Sequence, residues 1–340
     1  MDRSTIPAVK LSDALAPVED DLRSVEALFR EQCGTPHPLV AEMVAHSQRF
    51  SGKRLRPALV LLAGRGAGQR DPELVPVAVV VEMIHTATLV HDDVLDEAML
   101  RRQVASCNAL YGNEGAVLLG DFLFARAFAL SASLANRLAS RYLAEITAEV
   151  CQGEILQNRE RGNLDLPEER YFEIIRKKTA ILYAASAEVG ARYAGAREPA
   201  VRALHAFGLG IGLAFQIVDD CLDVDGEESE VGKSLGTDVA MGKMTLPVIH
   251  FLRTAPAAER EAMKALLAPA ADRGGPDPGM DGNARARARD LLRGQGSIEF
   301  AAGRAEELVA GAREHLAVLP PSPHRDALHA LADYVLQRTR

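Results

Sequence analysis

Ile84-His85-Thr86-Ala87-Thr88-Leu89-Val90 leads through His91 into Asp92-Asp93-Val94-Leu95-Asp96. The pattern returns further on, where Leu213-Ala214-Phe215-Gln216-Ile217-Val218 leads into Asp219-Asp220-Cys221-Leu222-Asp223. On a helix, residues three and four apart share a face, so Asp92 and Asp96 point the same way with Asp93 close beside them. Burying such a carboxylate row is costly unless something positive sits on it. Two rows facing one cavity would hold several hard divalent cations. Mg2+ held by few carboxylates takes its remaining ligands from water and substrate phosphates. A single acidic run on a helix is most often a solvated face. Here both flanks are core-like, and the pattern occurs twice.

The remaining composition favours helices. The chain has 340 residues, 48% of them hydrophobic and 25% charged, the balance of an ordinary globular protein. It has no Trp and is rich in Ala and Leu, which argues against a β-sandwich. A net charge of −8 argues against a general nucleic-acid binder. Cys33, Cys107, Cys151 and Cys221 have no CxxC pairing, so neither a zinc site nor a disulfide framework is expected. A reducing cytoplasm is the expected compartment. The first residues do not form a signal peptide, and no apolar run is expected to span a bilayer.

Helical periodicity dominates the chain. Expected helices cover residues 10–33, 38–48, 54–66, 74–98, 104–110, 114–132, 135–161, 167–193, 199–224, 239–254, 258–268, 283–293, 297–318 and 323–337. No alternating strand run with hairpin chemistry stands out. Residues 273–283, rich in Gly, Pro and Asp, read as a flexible loop. With no linker between segments, the expectation is one all-helical domain over 1–340.

A carboxylate and metal site that handles diphosphates also needs fixed cations. Gly52-Lys53-Arg54-Leu55-Arg56-Pro57 places three at the start of a helix, where backbone N–H groups also attract anions. Arg101-Arg102 follow the first row. Lys178-Thr179 sit inside an apolar helix, and Lys233 and Lys243 follow the second row. Gly232-Lys233-Ser234 is not a P-loop, because the first glycine would fall at Glu227 and a helix precedes it.

In this combination the chain resembles the trans-isoprenyl diphosphate synthases, or polyprenyl synthetases, and among them the longer-chain members. The segments are GKRLRP at 52–57, IHTATLVHDDVLDEAMLRR at 84–102, LLGDFLFARAF at 118–128, GEILQ at 153–157, RKKTAIL at 176–182, GLGIGLAFQIVDDCLD at 208–223 and GKSLGTDVAMGKMTLP at 232–247. Gln103 stands where many relatives have Gly, and Ser234 where Pro is common. The resemblance implies an all-α, single-domain isoprenoid-synthase-type helical bundle around a central cavity, working as a homodimer. It implies an enzyme that extends an allylic diphosphate, farnesyl or geranylgeranyl diphosphate, with isopentenyl diphosphate. A short-chain synthase, a class I terpene cyclase and an inactive partner subunit are the alternatives.

The resemblance also assigns roles. Asp92, Asp93, Asp96, Asp219, Asp220 and Asp223 would hold three Mg2+ per site, with Mn2+ as a substitute. Arg101, Lys178, Lys233 and Lys243 would contact the allylic diphosphate. Lys53, Arg56, His85 and Arg102 would bind isopentenyl diphosphate, and Gln216 and Thr179 would turn their dipoles toward the allylic cation. Short-chain relatives commonly carry an aromatic residue four or five positions before the first aspartate. Thr88 and Ala87 are small here, which opens the tunnel. Ile84 and Val81, with Phe124 and Phe128, are candidates for its floor, and the expected product has six to nine isoprene units and partitions to the membrane.

Overall fold

A computed structural model of the chain describes residues 10–49, 52–68, 71–225, 241–267 and 282–337. Helices make up nearly all of them. In order they are α1 (Leu11–Leu15), α2 (Glu19–Gln32), α3 (Pro38–Gln48), α4 (Leu55–Ala67), α5 (Leu74–Leu95), α6 (Cys107–Ser133), α7 (Leu138–Arg159), α8 (Glu168–Ile175), α9 (Ile181–Tyr193), α10 (Glu198–Asp225), α11 (Leu246–Thr254), α12 (Ala257–Leu267), α13 (Gly282–Gly294), α14 (Ser297–Glu314) and α15 (Pro323–Gln337). The chain divides into two compact units. The first comprises Met1–Ala148, Leu182–Leu209 and Ala312–Tyr334, and the second Glu149–Ile181, Gly210–Gly311 and Val335–Arg340.

In the first unit α5 is the central element and packs along α6, α4 and α2. Val77 to Ile84 are buried at every position, Glu82 among them, so this stretch has no solvent face. That explains a valine-rich helix whose β-branched residues would be poor formers in water, since tertiary packing overrides the propensity. Gly190 of α9 lets the backbone of α4 approach, because a Cβ there would stand 2.2 Å from the Val60 carbonyl oxygen. The buried Glu188 carboxylate of α9 accepts hydrogen bonds from Tyr142 of α7 (2.6 Å), His205 of α10 (2.7 Å) and Arg192 (2.7 Å). This tie joins three helices of the unit.

Several expected boundaries are corrected. The helix expected over 74–98 stops at Leu95. Glu97 takes a left-handed φ of 48°, while Ala98 N–H reaches back to Asp93 O (2.9 Å) and Glu97 N–H to Val94 O (3.2 Å). This is a C-terminal closure that usually employs glycine. A two-stranded hairpin follows, β1 (Leu100–Arg101) against β2 (Val104–Ala105), where no strand was expected. Its turn residues, Arg102 (φ 52°) and Gln103 (φ 62°), are both left-handed, the combination a type I′ turn requires. Two-residue strands are too short to show alternation, and Arg-Gln is not a hairpin signature. The helices expected at 104–110 and 114–132 form one element interrupted at Gly112, whose φ is 73°. The helix expected over 167–193 is divided by a π-helical turn at Arg176–Ala180.

One further expectation does not hold. α5, α6 and α10 are each long and apolar enough to cross a membrane by length and composition. Charged residues at the aspartate rows interrupt the sequence signal, and α5 spends its apolar surface inside the protein. Lys233 and residues 273–281 of the expected loop lie outside the described residues.

Candidate active site

In the first unit the C-terminal end of α5 carries the first aspartate row. Asp92 is half-buried, and Asp96 caps the helix one turn on, its N–H donating to Asp92 O at 2.8 Å. The two carboxylates therefore keep the i, i+4 relation although the helix ends between them. Asp93 is turned to another partner. Arg101 Nε lies 2.8 Å from each of its oxygens and Arg101 Nη2 2.8 Å from Oδ1, a bidentate pair with both side chains buried. Such charge-assisted forks are strong and directional. The hairpin accomplishes this by returning the chain from Glu97 toward the helix it has just left.

The basic segment opens α4. Arg54, left-handed at φ 50°, is bound by the buried Glu82 of α5 and approaches Glu26 at 3.6 Å. Of the three cations in GKRLRP, this middle one is committed to the fold. Lys53 is exposed, with its ammonium 4.8 Å from the centre of the Tyr334 ring. Arg56 stacks its guanidinium on Tyr183 at 4.2 Å, and Arg56 Nη1 donates to His85 Nε2 at 2.9 Å. A guanidinium cannot accept, so this contact assigns Nε2 as an unprotonated acceptor and His85 as neutral. Burial, followed by the charges of Arg56, Arg101, Arg102 and Arg54, holds His85 well below the ordinary histidine range. Arg102 lies against Gly52, where a Cβ would stand 2.3 Å from Nη2. The four residues expected to bind isopentenyl diphosphate, Lys53, Arg56, His85 and Arg102, thus all belong to this unit together with the first row.

The second unit carries Asp219, Asp220 and Asp223 near the end of α10. Asp220 and Asp223 are buried and Asp219 is half-buried. Asp220 accepts from Tyr171 Oη at Oδ2 (2.7 Å) and from Gln216 Nε2 at Oδ1 (2.9 Å). Thr179 Oγ1 donates to Gln216 Oε1 at 2.9 Å, so the expected pair Thr179 and Gln216 is directly connected. Lys178 lies in the π turn, where its ammonium pairs with Glu154 and donates to Gln157 Oε1 at 2.7 Å. The turn can approach α7 because residue 153 is glycine: a Cβ there would stand 2.3 Å from Lys178 N and 2.7 Å from Lys178 Cα. Three residues of GEILQ therefore serve the position of Lys178. Lys243 is buried, beside Gly242, whose carbonyl accepts from Gly162 N–H at 2.8 Å.

Ala87 and Ile84 are fully buried on α5, and half-buried Thr88 donates its hydroxyl to His85 O at 2.8 Å. On α6, Phe124 and Phe128 stack with centroids 6.3 Å apart, and His91 tilts onto Phe124 at 5.8 Å. Sequence reasoning missed Tyr171, Glu82 and the pairing of Lys178 with Glu154. A buried acid in the run Val79-Val80-Val81-Glu82-Met83 was the only available signal for Glu82, because such an acid needs a cation. Tyr171 had none.

The donor chemistry fits Mg2+. Among the described residues no three His, Cys, Asp or Glu side chains gather closely enough to hold a metal ion by themselves. Spaced carboxylates that leave positions for water and phosphate oxygens suit Mg2+ better than an all-protein cage would.

An all-helical chain with a carboxylate row in each unit, and arginine, lysine and neutral histidine in the same unit as the first, fits the class of metal-dependent enzymes acting on diphosphates. The polyprenyl synthetase family model matches residues 37–274, and the chain belongs to that family. It is 34% identical over 323 residues to the octaprenyl diphosphate synthase of Escherichia coli (strain K12), covering 94% of this chain and 96% of the relative. It is 43% identical over 245 residues to heptaprenyl diphosphate synthase component 2 of Geobacillus stearothermophilus, covering 72% of this chain and 76% of that one. A crystal structure of a polyprenyl synthase from Caulobacter crescentus CB15, complexed with calcium and isoprenyl diphosphate, superposes with a TM-score of 0.90. The two are 33% identical, with 98% of this chain and 99% of that chain covered.

Proposed function

We propose that the chain is a trans-prenyltransferase that condenses isopentenyl diphosphate with an allylic diphosphate, farnesyl or geranylgeranyl diphosphate, and releases an all-trans polyprenyl diphosphate of six to nine units. The observation that carries this reading is the first row together with its cations in one unit. Asp92 and Asp96 stand one turn apart, Arg101 and Arg102 follow on the hairpin, and Arg56 is fixed against neutral His85. In the reaction the allylic C–O bond breaks and diphosphate leaves. The isopentenyl double bond then forms the new C–C bond, and one proton is lost.

Asp92, Asp93 and Asp96 of the first row and Asp219, Asp220 and Asp223 of the second would hold three Mg2+, which when bound neutralise the charge that develops on the departing diphosphate. Asp93 and Asp220 also accept hydrogen bonds from protein side chains, Arg101 on the first and Tyr171 and Gln216 on the second. Lys178, Lys243 and Arg101 contact the allylic diphosphate, with Lys233 as a further member. Lys53, Arg56 and Arg102 bind isopentenyl diphosphate. His85, being neutral, offers a hydrogen bond without adding to the positive field. The apolar residues before each aspartate row exclude water, which would otherwise quench the allylic cation.

Ala87, Thr88 and Ile84 support a long product, since the wall one turn before Asp92 is made of small or aliphatic side chains. We also place a second copy of this chain on the exposed face of α6. Leu110, Val117 and Leu118 are solvent-exposed there, a cost that burial against a copy would remove. The four cysteines, none of them in a disulfide, suit the cytoplasm.

The deciding experiment incubates the purified single chain with Mg2+, isopentenyl diphosphate and farnesyl diphosphate and resolves the products by length. A ladder ending at six to nine units is the expected result. Termination at four units leaves the reaction intact and overturns the tunnel reading. Release of a cyclic hydrocarbon from the allylic substrate alone would indicate a cyclase. Activity only after addition of a second protein would indicate a heteromeric synthase.

A further inference from the structure

Tyr171 takes no part in the roles assigned above, yet it is among the most deliberately placed polar groups in the second unit. Its side chain is 3% exposed, in the middle of α8, and its hydroxyl donates to Asp220 Oδ2 at 2.7 Å. Gln216 donates to the other oxygen, Oδ1, at 2.9 Å from one turn earlier on α10. The amide of Gln216 could be reversed only at a loss, because reversal would turn its Oε1 toward the acceptor-only carboxylate of Asp220, while its Oε1 now accepts from Thr179 at 2.9 Å. The carboxylate can only accept, so it takes the Gln216 N–H and leaves the Thr179 hydroxyl to donate, which fixes the order Thr179 to Gln216 to Asp220. α8, the π turn and α10 therefore converge on one carboxylate, with a different donor on each oxygen.

We propose that Tyr171 and Gln216 form a clamp that fixes the carboxylate plane of Asp220 and thereby orders the second aspartate row for its metal. Tyr171 is a positioning residue for that row, acting through Asp220. A buried carboxylate that accepts a donor on each oxygen is restricted in the rotation of its last torsion. Removing the Tyr171 hydroxyl takes away one of the contacts that restrict that rotation. Side chains that orient metal-binding carboxylates typically change metal affinity or activity by about 10–100-fold when mutated. The proposal rests on the reading of the second row as metal-binding, and the test separates the two.

Mn2+ binding to the full-length chain is measured by the loss of the free-ion electron paramagnetic resonance signal, without substrate. The variants are Asp219→Asn, Asp220→Asn, Tyr171→Phe, Gln216→Met and Tyr171→Phe/Asp220→Asn. Steady-state assays then compare Mg2+ half-saturation with the KM for isopentenyl diphosphate. Tyr171→Phe should weaken Mn2+ binding and raise Mg2+ half-saturation by about 10-fold, with the isopentenyl diphosphate KM unchanged. It should add nothing in the Asp220→Asn background. A general packing defect would instead move both constants and would add to Asp220→Asn. If Tyr171→Phe does not fold, Gln216→Met carries the same expectation from the other oxygen. Parent-like Mn2+ binding in Tyr171→Phe and Gln216→Met, with Asp219→Asn weakened, overturns the clamp alone. Parent-like binding in Asp219→Asn overturns the metal reading of the row.

Discussion

Gly153→Ala isolates the geometry that presents Lys178. The added Cβ would stand 2.3 Å from Lys178 N, 2.7 Å from Lys178 Cα and 2.8 Å from Lys177 C. All three are backbone atoms, so no rotamer change relieves the contact, and α7 and the π turn must separate by roughly 1 Å to reach ordinary van der Waals distance. Overpacking of this kind costs about 1–3 kcal/mol, while Ala in place of Gly in a helix returns about 1 kcal/mol. The net expectation is a loss of about 0–2 kcal/mol. The effect on turnover is larger, because a displacement of about 1 Å in a substrate-positioning group can cost about 100-fold. Gly311→Ala in α14 is the control, since a Cβ there meets nothing within 4 Å. It should be neutral or slightly stabilising. Urea unfolding of the two variants, with kcat measured at saturating substrates, decides the matter. If Gly153→Ala is as stable and as active as Gly311→Ala, the π turn does not depend on this approach and the account of GEILQ fails.

Three other expectations follow from single side chains. Burial alone would raise the Glu188 carboxyl, but the donors His205, Tyr142 and Arg192 overcome it and hold it at about 2, against an ordinary 4.5. A depressed carboxyl gives stability that is complete above pH 4.5 and lost as pH falls toward 2, so Glu188→Gln should flatten that acid limb of the melting temperature, and an unchanged limb would refute it. Ala87→Phe fills a fully buried position on α5, and the product ladder should shorten; an unaltered ladder would remove Ala87 from the tunnel wall. Glu97→Gly should stabilise the chain by about 1 kcal/mol, because glycine adopts a left-handed φ without the Cβ penalty, whereas Glu97→Val should destabilise it in the same denaturation series.

What the sequence made legible was whatever repeats along one element. The aspartate rows, the apolar flanks and most helices depend on i, i+3 and i+4 relations, and these survive in α5 and α10. What it hid depends on departures from periodicity or on partners distant in sequence. A π turn adds one residue to a helix without changing composition, so Lys178 and Thr179 read as ordinary helical positions. Arg54 read as one of three equivalent cations until Glu82, 28 residues away, was found bound to it. Tyr171 is 49 residues from Asp220, and nothing in the segment around it announces a carboxylate partner.

The distribution of backbone strain gives the first row its physical logic. Among the described residues the non-glycine positive φ angles are those of Arg54, Glu97, Arg102 and Gln103. All four belong to GKRLRP or to the dozen residues after Asp92. Each costs about 1–2 kcal/mol relative to a relaxed conformation, so the cluster must be offset by what it makes possible. Had α5 continued as a helix through residue 101, eight residues at 1.5 Å each would carry Arg101 about 12 Å along the axis from Asp93. The left-handed turn at Glu97 and the hairpin at Arg102-Gln103 instead bring Arg101 back, so that its guanidinium forks both oxygens of Asp93 at 2.8 Å. With Asp93 held this way, Asp92 and Asp96 remain as the pair one turn apart. Strain in the linking residues is thus converted into a fixed orientation of one of three carboxylates that the sequence presents as equals.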